Sequence, residues 1–236
     1  MTDAEARIRS SWVANAEGWT TAVRSNAIAS RRAGTDAAIV AALAALPPGR
    51  VLDVGCGEGW LARAATGHRV LGVDASAPLI ERARELGGGE FEVLDYEALA
   101  SDPNALGGER FDAAVCNFSL LGEEIGPLLR GLAQHLAPGA PLLIQTVHPF
   151  TAVGDAPYRD GWREETFAGF GAGFAAPMPW YFRTVAGWLA ELRAAGLTVA
   201  DLQEPINHET GRPLSLLLTC HAAERRNSGG SAPMTF

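Results

Sequence analysis

The chain has 236 residues, 47% hydrophobic and 19% charged, with a formal net charge of −8 and a pI of about 5.1. That is enough for one globular domain with a sizeable core, and it speaks against a nucleic-acid partner, which calls for a basic face. All 19 basic residues are arginine, which removes a Walker A loop and a lysine Schiff base from consideration.

Cys56, Cys116 and Cys220 are far apart and show no metal-ligand spacing, so no metal is expected and a reducing compartment is. With no apolar leader and no run of membrane-spanning length, a cytoplasmic protein without a membrane partner is expected.

Trp12, Val13, Ala16 and Trp19 recur at helical spacing, so residues 1–34 read as a helical cap. Its tryptophans either pack on the sheet edge or reach over a ligand. Thr35 or Asp36 starts an Ala/Leu-rich helix that Pro47-Pro48-Gly49 stops. Val51–Val54 is then a buried strand, Gly55-Cys56-Gly57-Glu58-Gly59 a turn, and Leu61–Ala65 the start of a helix. Strand, glycine turn and helix open a doubly wound α/β fold, and the missing Cβ atoms let a ligand approach the backbone. Gly57–Ala62 also satisfies the loose dinucleotide pattern. Asp53, just before the turn, would repel a pyrophosphate and welcome a cationic ligand.

Arg69–Asp74 is a second strand whose terminal carboxylate suits ribose hydroxyls. Phe91–Tyr96 is a third strand and its exit, followed by a polar loop over 101–109. Phe111–Ser119 is the fourth, and Asn117 and Phe118 at its end line the pocket. Glu123-Glu124 read as first-turn acids of a helix running to Leu136. Leu142–Val147 is a central parallel strand ending in His148-Pro149-Phe150. Residues 150–182 alternate Gly169, Gly171 and Gly173 with Phe167, Phe170 and Phe174, and read as a lid with an aromatic inner surface. Thr184 caps a helix to Ala195, and Leu197–Leu202 and Leu214–Cys220 are the last strands. One domain over 1–223 and a disordered tail over 224–236 complete the expectation.

V-L-D-V-G-C-G-E-G-W resembles the first motif of class I S-adenosylmethionine (SAM)-dependent methyltransferases, h-h-D-x-G-x-G-x-G. Leu136-Ala137-Pro138-Gly139-Ala140 resembles the family's L-x-P-G-G. The resemblance implies a doubly wound, mostly parallel seven-stranded sheet with helices on both faces and an antiparallel last strand at the edge. It implies SAM as cofactor and S-adenosylhomocysteine (SAH) as product. Asp53, Gly55, Cys56, Gly57 and Trp60 would form the floor of the cofactor site. Asp74 and Ala75 would take the ribose, and Asp95 and Tyr96 the adenine. Asn117 and Phe118 would face the methyl, and Trp19 with Arg31 (or Arg32) would meet the carboxylate end. The fourth strand lacks the (Asn/Asp)-Pro-Pro-aromatic motif of enzymes that methylate base amino groups. A metal-independent reaction on a small-molecule acceptor, aromatic or otherwise apolar, is therefore expected. His148 is the first choice of general base and Tyr181 the second. Trp12, His148, Phe150, Trp180 and Tyr181 would line the acceptor pocket. The alternatives are an NAD(P)-dependent oxidoreductase and a non-catalytic SAM-binding module acting through a partner.

Overall fold

The structure, a computed structural model, describes residues 2–223. The expected tail at 224–236 lies outside the described residues. The chain opens with α1 (Asp3–Ala14) and α2 (Ala16–Arg24). Thr2 and Glu5 start α1 with a reciprocal capping box: Thr2 Oγ1 accepts the Glu5 N–H at 3.3 Å and the Glu5 carboxylate accepts the Thr2 N–H at 2.7 Å. A wide turn at Arg31–Thr35 leads into α3 (Asp36–Ala44), apolar all round.

β1 (Arg50–Val54), α4 (Trp60–Ala64), β2 (Arg69–Asp74), α5 (Ala77–Leu86) and β3 (Glu90–Val93) then alternate. α6 (Tyr96–Ser101) follows, a helix where sequence suggested only the approach to a loop. Its N-cap is Asp95, whose Oδ1 accepts the Ala98 N–H at 3.0 Å. β4 (Ala113–Asn117), α7 (Gly126–His135), β5 (Leu142–Val147) and the short α8 (Pro149–Ala152) come next. The stretch read as irregular is largely a hairpin, β6 (Gly161–Glu165) paired antiparallel with β7 (Met178–Phe182). α9 (Val185–Ala194), β8 (Leu197–Gln203) and β9 (Ser215–Ala222) end the described chain.

The main sheet has seven strands in the order β3-β2-β1-β4-β5-β9-β8. β1 to β5 run parallel and β9 is antiparallel to both its neighbours. The last strand is thus antiparallel as expected, but it is not the edge strand. Leu216, Leu217 and Leu218 on β9 are all but fully buried, which suits an inner position between two strands. β8 carries exposed Asp201 and Gln203 and a register shift between Val199 and Asp201, features that suit an edge.

Two apolar clusters, one on each face, fill the space between sheet and helices. One gathers Leu52, Val54, Phe111, Leu129, Leu132 and Leu218; the other gathers Ile39, Leu43, Val51, Ile80, Phe91 and Val115. Burying an aliphatic or aromatic side chain stabilises by roughly 1.5–3 kcal/mol, so these clusters hold the strand ends, and every loop leaving them, in place.

Candidate functional site at the carboxyl ends of the central strands

The strand order reverses direction between β1 and β4, and in such sheets ligands bind outside the carboxyl ends of the strands at that point. A cleft of about 510 Å³ lies there, within the size range of small-molecule sites. Gly55 and Gly57 from the β1 turn border it, with Asp74 and Ala75 from the end of β2. Asp95 and Tyr96 border it from the end of β3, and Asn117, Phe118 and Ser119 from the end of β4. Four strands far apart in sequence thus deliver their termini to one cavity.

The β1 turn needs its glycines. Gly55 has φ 77°, and a Cβ there would collide with the Ser119 side chain and stand 2.9 Å from the Tyr96 hydroxyl. Tyr96 lies across the cleft floor, its hydroxyl donating to the Ser119 carbonyl at 2.9 Å. Ser119 Oγ donates in turn to the Val54 carbonyl at 2.6 Å, which ties the ends of β1 and β4 together. Burial pushes the Tyr96 phenol well above its ordinary range, so it remains a neutral donor. Phe118 sits at φ 55°, a left-handed conformation that costs a bulky residue of order 1–3 kcal/mol and that turns the chain at the end of β4.

Asp74 fixes the turn from below. Its Oδ2 accepts the Gly57 N–H at 2.9 Å and its Oδ1 accepts the Ser76 N–H at 2.8 Å. Each carboxylate oxygen has a second lone pair for a hydroxyl in the cleft. Burial raises the Asp74 pKa, with the two N–H bonds opposing it. Asp53 is 2% exposed and is not among the residues that border the cleft; its Oδ2 is buried without a partner. Burial, and secondarily the charge of Asp74, push its pKa up to about 7. Asp53 thus lies one layer beneath the cleft, without bordering it, as a carboxyl whose ionisation is disfavoured. Cys56 is buried, and Trp60 holds the Arg31 guanidinium 4.3 Å from its ring centroid; neither borders the cleft.

Arg31 does not either. Its Nε bonds both Asp36 oxygens at 3.0 Å, which spends the predicted carboxylate partner on the start of α3. Arg32 bonds the carbonyls of Asn26 and Ala27.

The roof is α1 and α2, against which the insertion packs; no residue of 150–182 borders the cleft. Trp12 and Trp19, both bordering the cleft, meet edge to face at 5.1 Å. Phe167 packs on Trp12 at 6.0 Å, and Phe170 on Trp19 at 6.1 Å. Asn15, fully buried, clamps the insertion to it: its Oδ1 accepts the N–H groups of Ala175 and Ala176 at 2.7 and 3.1 Å, and its Nδ2 donates to the Ala176 carbonyl at 2.7 Å. The same two tryptophans thus both pack against the insertion and border the cleft.

The residues expected to do the catalysis are placed elsewhere. His148 is 4% exposed and does not border the cleft. Its Nδ1 accepts the Phe150 N–H at 3.2 Å, which makes that nitrogen proton-free, and its Nε2 donates to Glu204 Oε1 at 2.8 Å. With both nitrogens engaged it caps α8, away from the cleft. Phe150 is 60% exposed, outside the cleft. Trp180 and Tyr181 lie on β7 and brace the loop after β4: the Tyr181 N–H donates to the Leu121 carbonyl at 2.8 Å, and Arg183 Nη2 donates to the Gly122 carbonyl at 2.8 Å. The Tyr181 ring meets Trp162 at 5.4 Å instead of facing the cleft.

Sequence reasoning missed the loop Ser119–Ile125 and the start of α7, which supply Leu121, Ile125 and Leu128 to the cleft wall. It also missed Glu5, Ile8 and Arg9 on α1. The signal for the first was available: Pro127 marks the first turn of α7, so Glu123 and Glu124 belong to the loop leaving a central strand.

Residues 51–139 match the model of the methyltransferase domain. The ubiquinone biosynthesis O-methyltransferase of Xanthomonas campestris pv. campestris is 37% identical over 118 residues, 46% of this chain and 47% of that protein. The chain thus spans less than half the length of that relative. A SAM-dependent methyltransferase from Mesorhizobium loti superposes with a TM-score of 0.59 at 26% identity, over 79% of this chain and 97% of that one. The 1,6-didemethyltoxoflavin-N1-methyltransferase of Burkholderia thailandensis, solved with 1,6-didemethyltoxoflavin and SAH bound, superposes with a TM-score of 0.66 at 22% identity, over 95% and 92%.

Proposed function

We propose, from the premise that residues 51–139 are a methyltransferase domain carried on the fold of the class I SAM-dependent enzymes, that this protein transfers the methyl group of SAM to a small apolar acceptor. The observation that carries the reading is the convergence of Gly55, Asp74, Asp95 and Asn117 on one cleft from the ends of β1, β2, β3 and β4. The residues fit SAM. Gly55 and Gly57 present bare backbone to the cleft, and a cationic ligand above them would favour the ionised form of Asp53, whose buried oxygen has no partner beneath the turn. A pyrophosphate over the same spot would meet repulsion from both Asp53 and Asp74.

Bound SAM supplies a methyl group on a sulfonium, open to attack by a nucleophile. The protein's part is orientation. Asp74 takes the ribose hydroxyls on its free lone pairs. Asp95 and Tyr96 hold the adenine end, with Arg9 Nη1 3.4 Å from Asp95 Oδ2 across the cleft mouth. Asn117 and the left-handed Phe118 place the backbone and a ring beside the methyl. Alignment of this kind contributes up to roughly 7–11 kcal/mol, enough to run a displacement without a protein base. His148 and Tyr181 take no part in that step. The acceptor side, walled by Trp12, Leu121, Ile125 and Leu128 with Glu5 and Glu124 at its rim, suits an apolar molecule that carries no negative charge. The ubiquinone biosynthesis O-methyltransferase among the relatives and the 1,6-didemethyltoxoflavin bound in the Burkholderia thailandensis enzyme support a small-molecule acceptor.

Calorimetric titration with SAH and with NADH tests the cofactor, and methyl-labelled SAM with a panel of neutral aromatic acceptors tests the reaction. Binding of NADH without SAH would replace the reading with an oxidoreductase. SAH binding with no transfer to any acceptor would leave a non-catalytic SAM-binding module.

A further inference from the structure

Residues 119–125, which leave β4, have no regular structure, yet Leu121, Gly122, Glu124 and Ile125 all border the cleft. Groups outside the loop must then fix its shape, and its main-chain carbonyls show which. The Leu121 carbonyl accepts the Tyr181 N–H at 2.8 Å. The Gly122 and Glu123 carbonyls both accept from Arg183 Nη2, the first at 2.8 Å. Three consecutive carbonyls are thus held from the end of β7. On β6, the Trp162 indole N–H adds a bond to Glu123 Oε2 at 3.2 Å. On its other side the loop meets α1: Glu5 Oε1 lies 3.8 Å from the point a Gly122 Cβ would occupy.

Arg183 is a costly residue to keep in this place. It is 3% exposed, between β7 and α9, and its Nη1 is buried without a partner. A buried cation with an unmatched nitrogen costs stability, and a methionine would fill similar space at lower cost. A methionine could not reach two carbonyls. The guanidinium is itself seated by two rings, 4.9 Å from the Tyr181 centroid and 5.2 Å from that of Trp188. The next peptide is pinned as well, the Thr184 N–H donating to Asp160 Oδ1 at 2.7 Å.

We propose that Arg183 is a positioning residue for the acceptor side of the cleft: by holding the Gly122 and Glu123 carbonyls it fixes the gap between the loop after β4 and α1, and so sets which neutral acceptors fit. It acts through the loop and touches neither SAM nor acceptor. The assignment rests on an apolar acceptor lying against Leu121 and Ile125, as proposed above.

The probe is N-phenyl-1-naphthylamine, a neutral apolar dye that brightens in apolar surroundings, titrated into protein saturated with SAH. Arg183→Met removes the donors and keeps an apolar stem. It should weaken dye binding by roughly 10-fold, the scale of one hydrogen bond to a charged group, while SAH affinity by calorimetry stays level. Arg183→Lys keeps a cationic donor without the planar fork and should fall between the two. Should the methionine variant not fold, the lysine variant must by itself show weaker dye binding at level SAH affinity. Dye binding that neither variant moves overturns the assignment. So does SAH affinity that falls in step with dye affinity, the mark of a residue that only holds the fold. Leu121→Gln, on the wall itself, must weaken the dye too; a dye indifferent to it overturns the wall as the acceptor side. No dye binding to the unaltered protein would strike the apolar acceptor side, and this assignment with it. Absence of SAH binding would strike the SAM reading alone, since the dye comparison runs equally on the protein without SAH.

Discussion

Replacing Asp53 by asparagine tests the electrostatics of the site most directly. The carboxyl is 2% exposed, has a partnerless oxygen, and titrates near 7 where an ordinary aspartate titrates at 3.8. Its folded-state pKa is raised, so the native protein holds this proton more tightly than the unfolded chain. The stability it contributes is therefore present at low pH and is lost as pH rises from about 4 to about 7. Some three pH units at about 1.4 kcal/mol each make the ionised group cost of order 4 kcal/mol above pH 7. The asparagine would avoid that cost but leave a buried amide short of partners, at roughly 1–3 kcal/mol. The net expectation is a variant more stable by about 2 kcal/mol at pH 8, or roughly 4–8 °C in Tm for a domain of this size. Thermal melts of both ligand-free proteins from pH 5 to pH 8 are the assay: the gap in Tm should widen as pH rises to 7 and then level off. A constant gap, or a variant less stable at pH 8, would show the carboxylate to be compensated in a way the reasoning misses. The variant should also bind SAM more weakly, having lost the charge beneath the turn.

Asp74→Asn should raise the Kd for SAH by about 10-fold, since neutral acceptors make weaker bonds than carboxylates; unchanged affinity by calorimetry would remove Asp74 from the ribose. His148→Ala should lower thermal stability by roughly 1–3 kcal/mol through loss of the α8 cap and the Glu204 bond while turnover stays level. A collapse in kcat with normal SAH affinity would restore it as a base. Asn15→Ala removes three hydrogen bonds between the roof and the insertion and should cost about 2–3 kcal/mol, with faster protease cleavage within 166–177; equal cleavage rates would show that Phe167, Phe170 and Phe174 seat the insertion without it.

Much of the site was legible in the sequence because it lies at the ends of parallel strands. A run such as Val51–Val54 announces a buried strand, the glycines after it announce a turn open to ligand, and the topology brings Asp74, Asp95 and Asn117 to the same edge. What was not legible depends on partners distant in the chain. Arg31 looked free until Asp36 and Trp60 claimed it. His148 looked like a base at the mouth of a cleft, but its second nitrogen faces Glu204, 56 residues on. The position of β9 turned on Leu216–Leu218 being buried on both faces, which a run of leucines alone does not distinguish from an edge strand packed on one side.

The Asn15 clamp also bears on engineering. Residues 150–182 cannot be exchanged alone, because a foreign insertion would arrive without the asparagine and the two indoles it is seated on, which belong to the start of the chain. Gly18 adds a steric condition, since any side chain there would strike the Gly173 carbonyl. A chimera that keeps its shape must carry both pieces from the same parent.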